Sequence, residues 1–171
     1  MLYLRLILYQ NMVLHKLYID EFDEIDYELI AIHTSLEDYR LAYLINQKLP
    51  ILLSKSKEEI QITTKEGEAF FSKYKYENLK EEVCWSLIQN KNEITGIDKN
   101  SDANLFTNSV LEISTNVYFL PEFKKVDYFL KVENAEETVE LIINNINTID
   151  RVSTVYRVET DKIKSKNNLI F

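Results

Sequence analysis

The side chains best suited to acid–base chemistry are two carboxylates separated by a short segment, Glu122 and Asp127. Paired carboxylates can exchange a proton with a substrate when one of them is desolvated, because desolvation raises its pKa. The structural alternative is that Glu122 caps a loop while Asp127 bonds a backbone group or a lysine. Lys124 and Lys125 lie between the two acids and would keep both ionised. The residue types favour the structural alternative and leave the chemical one open.

Two further side chains carry reactive groups, His33 and Cys84. His33 is expected at the end of a central strand, just before a helix, where polar functional groups often gather. Its ring nitrogens could equally bond Thr34, Ser35 or a backbone carbonyl, and this structural role is the more common one. Cys84 precedes Trp85 in an expected strand with no base nearby in sequence, which favours a buried, inert thiol.

Several chemistries lack the motifs that they require. With 2 glycines in 171 residues the chain contains neither a P-loop nor a dinucleotide-binding fingerprint. It also lacks a G-x-S-x-G elbow and a pair of histidines at zinc spacing. The acidic segment 20–26 could attract Mg²⁺ or Ca²⁺, but it lacks the ligand spacing of an EF-hand loop and is expected to be a solvated face. We therefore expect no cofactor and no metal.

Composition and charge narrow the class of protein. A hydrophobic content of 46%, with 12% aromatic residues, is typical of a globular domain. A formal charge of −8 opposes binding to nucleic acids and to anionic membranes, which both need cationic surfaces. The alternation of aromatic residues and lysines in segment 70–76 resembles a stacking platform for RNA, but packing within the protein is favoured on an acidic chain. A single cysteine fits a reducing compartment, and cytoplasm is the simplest inference.

The elements around the two carboxylates are expected to be two strands joined at a proline. From Val126 the apolar residues recur at every second position, which is the period of a half-buried strand. This alternation predicts Val126 and Tyr128 on one face and Asp127 on the other. Pro121 donates no backbone hydrogen bond and is expected at a strand end. The sequence predicts a hairpin whose loop brings Glu122 and Asp127 to one end of a sheet.

The same stretch carries a resemblance to a known family. The chain resembles the uncharacterised bacterial IPExxxVDY family, with a leucine, Leu120, where the family name has isoleucine. Segment 26–40 is also similar to the N-terminal half of that family, and the resemblance extends from about Met12 onward. Because the family has no established activity, the resemblance implies membership and no reaction. The matching motif residues are Pro121, Glu122, Val126, Asp127 and Tyr128.

The remaining elements predict an α+β fold, with two helices packed on one face of a mainly antiparallel sheet in two layers. One helix is expected to begin with a capping box at Thr34 or Ser35 and to end near Leu49, and the second to begin at Asn134. Residues 96–116 are expected to form the longest loop. The predicted strands cover residues 14–19, 27–33, 51–53, 70–76, 83–88, 117–120, 126–132 and 152–158.

We expect a single domain over residues 12–160. Residues 161–171 are expected to form a loose C-terminal tail. Residues 1–11 are interpreted as a non-native extension, with translation starting at Met12, because the run is too short to span a bilayer and the resemblance begins only there.

These observations favour a cytoplasmic protein-interaction or regulatory module over an enzyme, with a protein partner or self-association as its mode of action. The expected contact surface is the sheet end that carries Glu122, Lys124, Lys125 and Asp127. The alternative is a small-molecule-binding protein or enzyme with a site near His33, Glu122 and Asp127. The predicted binding residues are Pro121, Glu122, Asp127, Tyr128 and His33.

Overall fold

The computed structural model describes residues 27–65, 67–97, 112–135 and 137–171. The predicted strand over residues 14–19 and the proposed start at Met12 lie outside these ranges. Two α-helices are described, α1 (Asp38–Lys48) and α2 (Val139–Asn147). The described strands are β1 (Tyr27–Thr34), β2 (Ser54–Lys55), β3 (Ile60–Thr63), β4 (Glu68–Phe71), β5 (Lys73–Asn78), β6 (Val83–Gln89), β7 (Lys91–Ile97), β8 (Glu112–Tyr118), β9 (Tyr128–Glu133) and β10 (Val152–Arg157).

Six strands form one antiparallel sheet in the order β10-β1-β9-β6-β5-β2. β3 pairs with β4, and β7 pairs with β8, in two small two-stranded sheets. β1 lies between β9 and β10, as its sequence predicts. Its residues are apolar on both faces, and Leu29, Ile30, Ala31 and Ile32 are all fully buried.

Both helices pack on one face of the large sheet, which confirms the predicted α+β arrangement. Ile30 and Ile32 of β1 share a core with Ile45 of α1 and with Ile142 and Ile146 of α2. Each of these five side chains is fully buried, and burying an aliphatic side chain of this size contributes about 1.5–3 kcal/mol.

The opposite face of the sheet has its own apolar cover. Leu29 and Phe129 of the sheet pack with Phe119, Ile163 and Leu169 in a second core. The C-terminal residues, expected to be a loose tail, therefore lie against the sheet instead. Ile163 and Leu169 are 3% and 1% exposed, and two short 3-10 helices, Thr160–Lys162 and Lys166–Leu169, place them there. Burial of these two apolar side chains holds the otherwise polar segment in place.

The predicted hairpin around Pro121 is wrong. β8 pairs with β7, whereas β9 inserts between β1 and β6, so the chain changes sheets at this turn. Pro121 begins a 3-10 helix, Pro121–Phe123. Val126 precedes the strand and packs in the second core, whereas Tyr128 packs under the helices. The loop predicted over residues 96–116 is wrong at both of its ends, since β7 continues to Ile97 and β8 begins at Glu112; residues 98–111 lie outside the described ranges.

Both helices begin later than their capping patterns predict. The Thr34 hydroxyl donates to the carbonyl oxygen of Arg151 (2.9 Å) and accepts from the Leu36 amide (3.1 Å), so it ends β1 and does not cap α1. For α2 the N-cap is Thr138. Asn134 adopts a left-handed conformation with φ of 52°, which a short polar side chain tolerates at a turn. The Asn134 side-chain amide donates to the carbonyl oxygen of Glu82 (3.1 Å), so in both places a hydrogen bond to a distant residue replaces the predicted cap.

The strand predicted over residues 70–76 is broken at Ser72, between β4 and β5. Phe71 is fully buried in the second core, and Tyr74 is buried under the helices. The alternation in segment 70–76 therefore reflects packing on both faces of the sheet. Tyr74 is buried and is not available to stack on a base. Residues 51–53 precede a two-residue strand, β2, and do not form one themselves. No helix in the described ranges is long and apolar enough to cross a membrane.

Candidate functional site

The turn that carries the Pro-Glu motif is held by a buried asparagine, Asn90, between β6 and β7. Its side-chain amide donates to the carbonyl oxygens of Phe123 (2.9 Å) and Val126 (2.8 Å), and its side-chain oxygen accepts from the Leu120 amide (2.9 Å). Asn90 is fully buried, so these bonds form away from competing water and their loss would leave polar groups unsatisfied. Sequence analysis missed this residue because its partners are distant along the chain.

Glu122 binds the C-terminal segment. Its carboxylate accepts from the backbone amides of Lys164 (2.7 Å) and Ser165 (2.9 Å) and from the Ser165 hydroxyl (3.1 Å). Partial burial raises the pKa of this carboxyl, but the hydrogen bonds from Ser165 and Lys164 outweigh that effect and hold the pKa below its usual value. Glu122 is therefore an ionised anchor for the segment that covers the second face.

Asp127 binds a different part of the chain, the end of β1. Its carboxylate accepts from the Thr34 amide at 2.9 Å, where the register between β1 and β10 shifts. Its own backbone amide donates to the carbonyl oxygen of Ile32 (3.2 Å). Glu122 and Asp127 thus have separate sets of hydrogen-bond partners, and the structure gives each a backbone-binding role like the one that the structural reading expects.

Tyr128 and His33, the other predicted binding residues, differ in exposure. Tyr128 is buried, its hydroxyl donates to the carbonyl oxygen of Leu36 (3.0 Å), and burial raises its pKa strongly. His33 is half-buried, and its ring stacks on Tyr156 of β10 with centroids 5.8 Å apart and 25° between the planes. Of the two, only His33 lies beside a surface that a partner could reach.

That surface is a shallow, open pocket of about 490 Å³ where the motif turn meets β10. Tyr156 forms one wall, and Pro121, Phe123 and Val126 form the apolar part of the other. Lys124 and Lys125 supply positive charge at its margin. The lining residues are Pro121, Glu122, Phe123, Lys124, Lys125, Val126 and Tyr156.

Beside this pocket, β10 forms an edge of the large sheet within the described ranges. The Val158 amide donates to the carbonyl oxygen of Leu29 (2.8 Å). Because hydrogen-bonded pairs alternate along an antiparallel ladder, Tyr156 and Thr154 also direct their backbone groups towards β1. Val155 and Arg157 consequently direct theirs outward, whereas Ser153 is the extra residue where the register shifts. We call this outer edge, together with the pocket formed by Pro121, Phe123, Val126 and Tyr156, the β10 site.

Cys84 is a free, half-buried thiol on the face of the sheet opposite the helices. Burial raises its pKa, and the carboxylate of Glu133 adds to this effect. A raised pKa leaves little thiolate at neutral pH, so the surroundings do not activate Cys84 as a nucleophile.

Over the described residues, no three histidine, cysteine or acidic side chains are grouped so that they could hold a metal ion. Comparisons with protein-family models, with curated proteins and with solved structures found no match to this chain.

Proposed function

We propose that this protein is a protein-interaction module that binds an extended segment of a partner protein by strand addition at the β10 site. The observation that carries the proposal is the outward-facing backbone of Val155 and Arg157, placed beside an apolar pocket. A peptide strand can pair with such an edge through its main chain, and pockets for alternate side chains then supply specificity. Edge strands otherwise tend to be covered or blocked.

The pocket indicates which side chains the partner carries. Pro121, Phe123, Val126 and Tyr156 offer an apolar surface to one side chain of the added strand. Lys124 and Lys125 lie at its margin, and no ion pair within the described residues engages either lysine. We therefore propose a partner segment that combines apolar and acidic residues.

A different protein is favoured over a second copy of this chain as the partner. The chain carries a formal charge of −8, so two copies repel each other at long range. Lys124 and Lys125 place positive charge beside the pocket of a chain whose net charge is negative. They give an acidic segment a specific place to bind. Light scattering that shows a stable dimer through the β10 site would replace this partner with a second copy.

The alternative proposal, a small-molecule site at His33, Glu122 and Asp127, has weaker support. Both carboxylates already accept hydrogen bonds from backbone amides. A ligand would have to break those bonds to use either acid. The same fact moves the predicted contact surface away from Glu122 and Asp127 and towards Lys124 and Lys125.

Two further parts of the proposal rest on the sequence alone. Membership of the IPExxxVDY family is proposed from the motif around Pro121 and Asp127. A cytoplasmic location is proposed from the single cysteine, which fits a reducing compartment.

The proposal is tested by mapping the binding of a synthetic decapeptide that alternates valine with glutamate. In a ¹⁵N-labelled sample we expect the largest shift changes at the amides of Val155 and Arg157, and smaller ones at Lys124 and Lys125. A decapeptide alternating valine with lysine is the control and should bind more weakly. Absence of binding by the glutamate peptide, or shift changes confined to another surface, would contradict the proposal.

A further inference from the structure

A second concave surface lies on the face of the large sheet opposite the helices, away from the β10 site. It is a groove of about 470 Å³ on β5, β6 and β9, with Phe171 at its margin. We call it the lysine groove and define it by Lys73, Lys75, Ser86, Lys131 and Phe171. The second apolar core does not extend over this part of the sheet.

The strand register brings three lysines around one buried hydroxyl group. Ser86 of β6 pairs with Lys75 of β5 on one side and with Lys131 of β9 on the other. Neighbouring strands are about 4.8 Å apart, so the two lysines begin roughly 10 Å from each other across Ser86. Lys73 lies two positions before Lys75 on the same strand and therefore projects from the same face. Ser86 is 2% exposed, so its hydroxyl forms the floor of the groove.

Two of the three positive charges are already compensated. Lys75 forms an ion pair with Glu77 (3.0 Å), and Lys131 forms one with Glu133 (2.7 Å). Lys131 also donates to the carbonyl oxygen of Leu169 (3.0 Å). Both lysines are thus held in place by groups at the side of the groove.

Lys73 is different. No ion pair within the described residues engages it, and its ammonium group lies 4.4 Å from the centre of the Phe171 ring. Partial burial lowers the pKa of Lys73, and repulsion from Lys75 and Lys131 lowers it further, against an opposing contribution from Glu58. An aromatic face attracts a cation but does not neutralise it. The groove therefore contains a partly desolvated cation that forms no ion pair with a described residue.

We propose that the lysine groove binds a small organic anion, a carboxylate or a phosphate monoester, whose charged group lies between Lys73 and Ser86. Lys73 supplies the uncompensated charge, and the Ser86 hydroxyl can donate to an anion oxygen. The Phe171 ring lies close to both Lys73 and Lys131 (5.1 Å from the latter) and offers an apolar surface to the rest of the ligand. The volume suits a molecule with one ring, and Glu77 and Glu133 at the side disfavour a larger polyanion.

The test uses phenyl phosphate and benzoate as probes, with sodium chloride at equal ionic strength as the reference. Binding is measured by calorimetry on the whole protein and on the Lys73→Gln variant. Because a charge-assisted hydrogen bond is lost, we expect Lys73→Gln to weaken binding by about tenfold or more. Lys48→Gln changes the same charge at the end of α1, at an exposed position, and should bind like the wild type.

Binding of phenyl phosphate alone would assign the groove to phosphate monoesters, and binding of benzoate alone would assign it to carboxylates. The proposal is overturned if neither probe binds above the sodium chloride reference, or if Lys73→Gln binds as tightly as the wild type. A second measurement avoids any folding defect of the variant. In the wild type, the bound probe should protect Lys73 from acetylation by acetic anhydride, and equal modification with and without the probe would also overturn the proposal.

Discussion

The side-chain amide of Asn90 donates to the carbonyl oxygen of Val126 at a distance of 2.8 Å. This bond joins the end of β6 to a turn far along the chain, and two further bonds from the same side chain hold the rest of that turn. The wall of the β10 site formed by Pro121, Phe123 and Val126 therefore depends on a residue that does not line it.

Asn90→Ala should destabilise the protein by about 3 kcal/mol or more, because it leaves the buried Val126 carbonyl oxygen and the buried Leu120 amide without their partner and removes one of two donors to the Phe123 carbonyl oxygen. Urea denaturation measures this loss. Asn144→Ala, at an exposed position in α2, is the control and should change the free energy of unfolding by about 0.5 kcal/mol or less. A similar small change for Asn90→Ala would show that the turn is held by other contacts.

Glu122 should make the C-terminal segment sensitive to acid. Its pKa in the folded protein lies below its usual value of 4.5, so its stabilising effect is complete above that value and is lost as the pH falls through the folded pKa. The protection factors of the Lys164 and Ser165 amides against hydrogen exchange should fall over this range in the wild type.

Glu122→Gln provides the control for that measurement. It should weaken protection of the same two amides at pH 7 and remove the acid-dependent step. If the two amides of the wild type exchange at a constant protection factor down to pH 3, the carboxylate is not their anchor. Asp38 also has a lowered pKa in the folded protein, so the overall stability in acid reports on both carboxyls. Exchange at the Lys164 and Ser165 amides reports on Glu122 alone.

Tyr128→Phe should cost about 1–2 kcal/mol, because it removes the donor to the Leu36 carbonyl while leaving the ring packed. Tyr43→Phe, at a position 61% exposed, should be close to neutral. The raised pKa of Tyr128 adds a spectroscopic test, since its stabilising effect is present below the usual tyrosine pKa and is lost only as the pH rises above it. Absorbance titrations of the wild type and of Tyr128→Phe at alkaline pH should differ by a tyrosine that ionises only on unfolding; a difference at the pH where the exposed tyrosines ionise would contradict the buried position of Tyr128.

Leu169→Ala should destabilise the protein by about 2–4 kcal/mol, as expected when a large aliphatic side chain is removed from a core. Leu169 is 1% exposed, whereas the next residue, Ile170, is 81% exposed. Ile170→Ala is therefore a matched control and should be nearly neutral. Equal effects of the two substitutions in thermal denaturation would mean that the C-terminal segment is loose in solution.

The sequence predicts elements whose pattern is set by their own burial. β1 is apolar on both faces because it lies inside the sheet, and α2 follows from its repeating isoleucines. Prediction from the sequence fails where the pairing of a strand depends on residues far along the chain. β9 pairs with β1 and β6 in preference to the neighbouring β8, and nothing in a local pattern reveals that choice.

The candidate sites show the same difference between what a local pattern predicts and what distant partners determine. Sequence analysis selected Glu122 and Asp127 as the best chemical pair, and both proved to bind backbone groups. The alternation of aromatic residues and lysines in segment 70–76 predicts that Lys73 and Lys75 share one face of a strand. Their meeting with Lys131 depends on the register of β5, β6 and β9, which only the folded sheet defines.

The central claim is strand addition at β10, and one comparison of affinities tests it most directly. Arg157→Pro removes an outward backbone donor at a sheet edge, where proline is tolerated, together with the side chain that pairs with Glu28. Arg157→Ala removes the same side chain and keeps the backbone donor. Binding of the valine–glutamate decapeptide is followed by fluorescence anisotropy. We predict that Arg157→Pro binds the peptide about tenfold or more weakly than Arg157→Ala; equal affinity of the two variants would contradict the account.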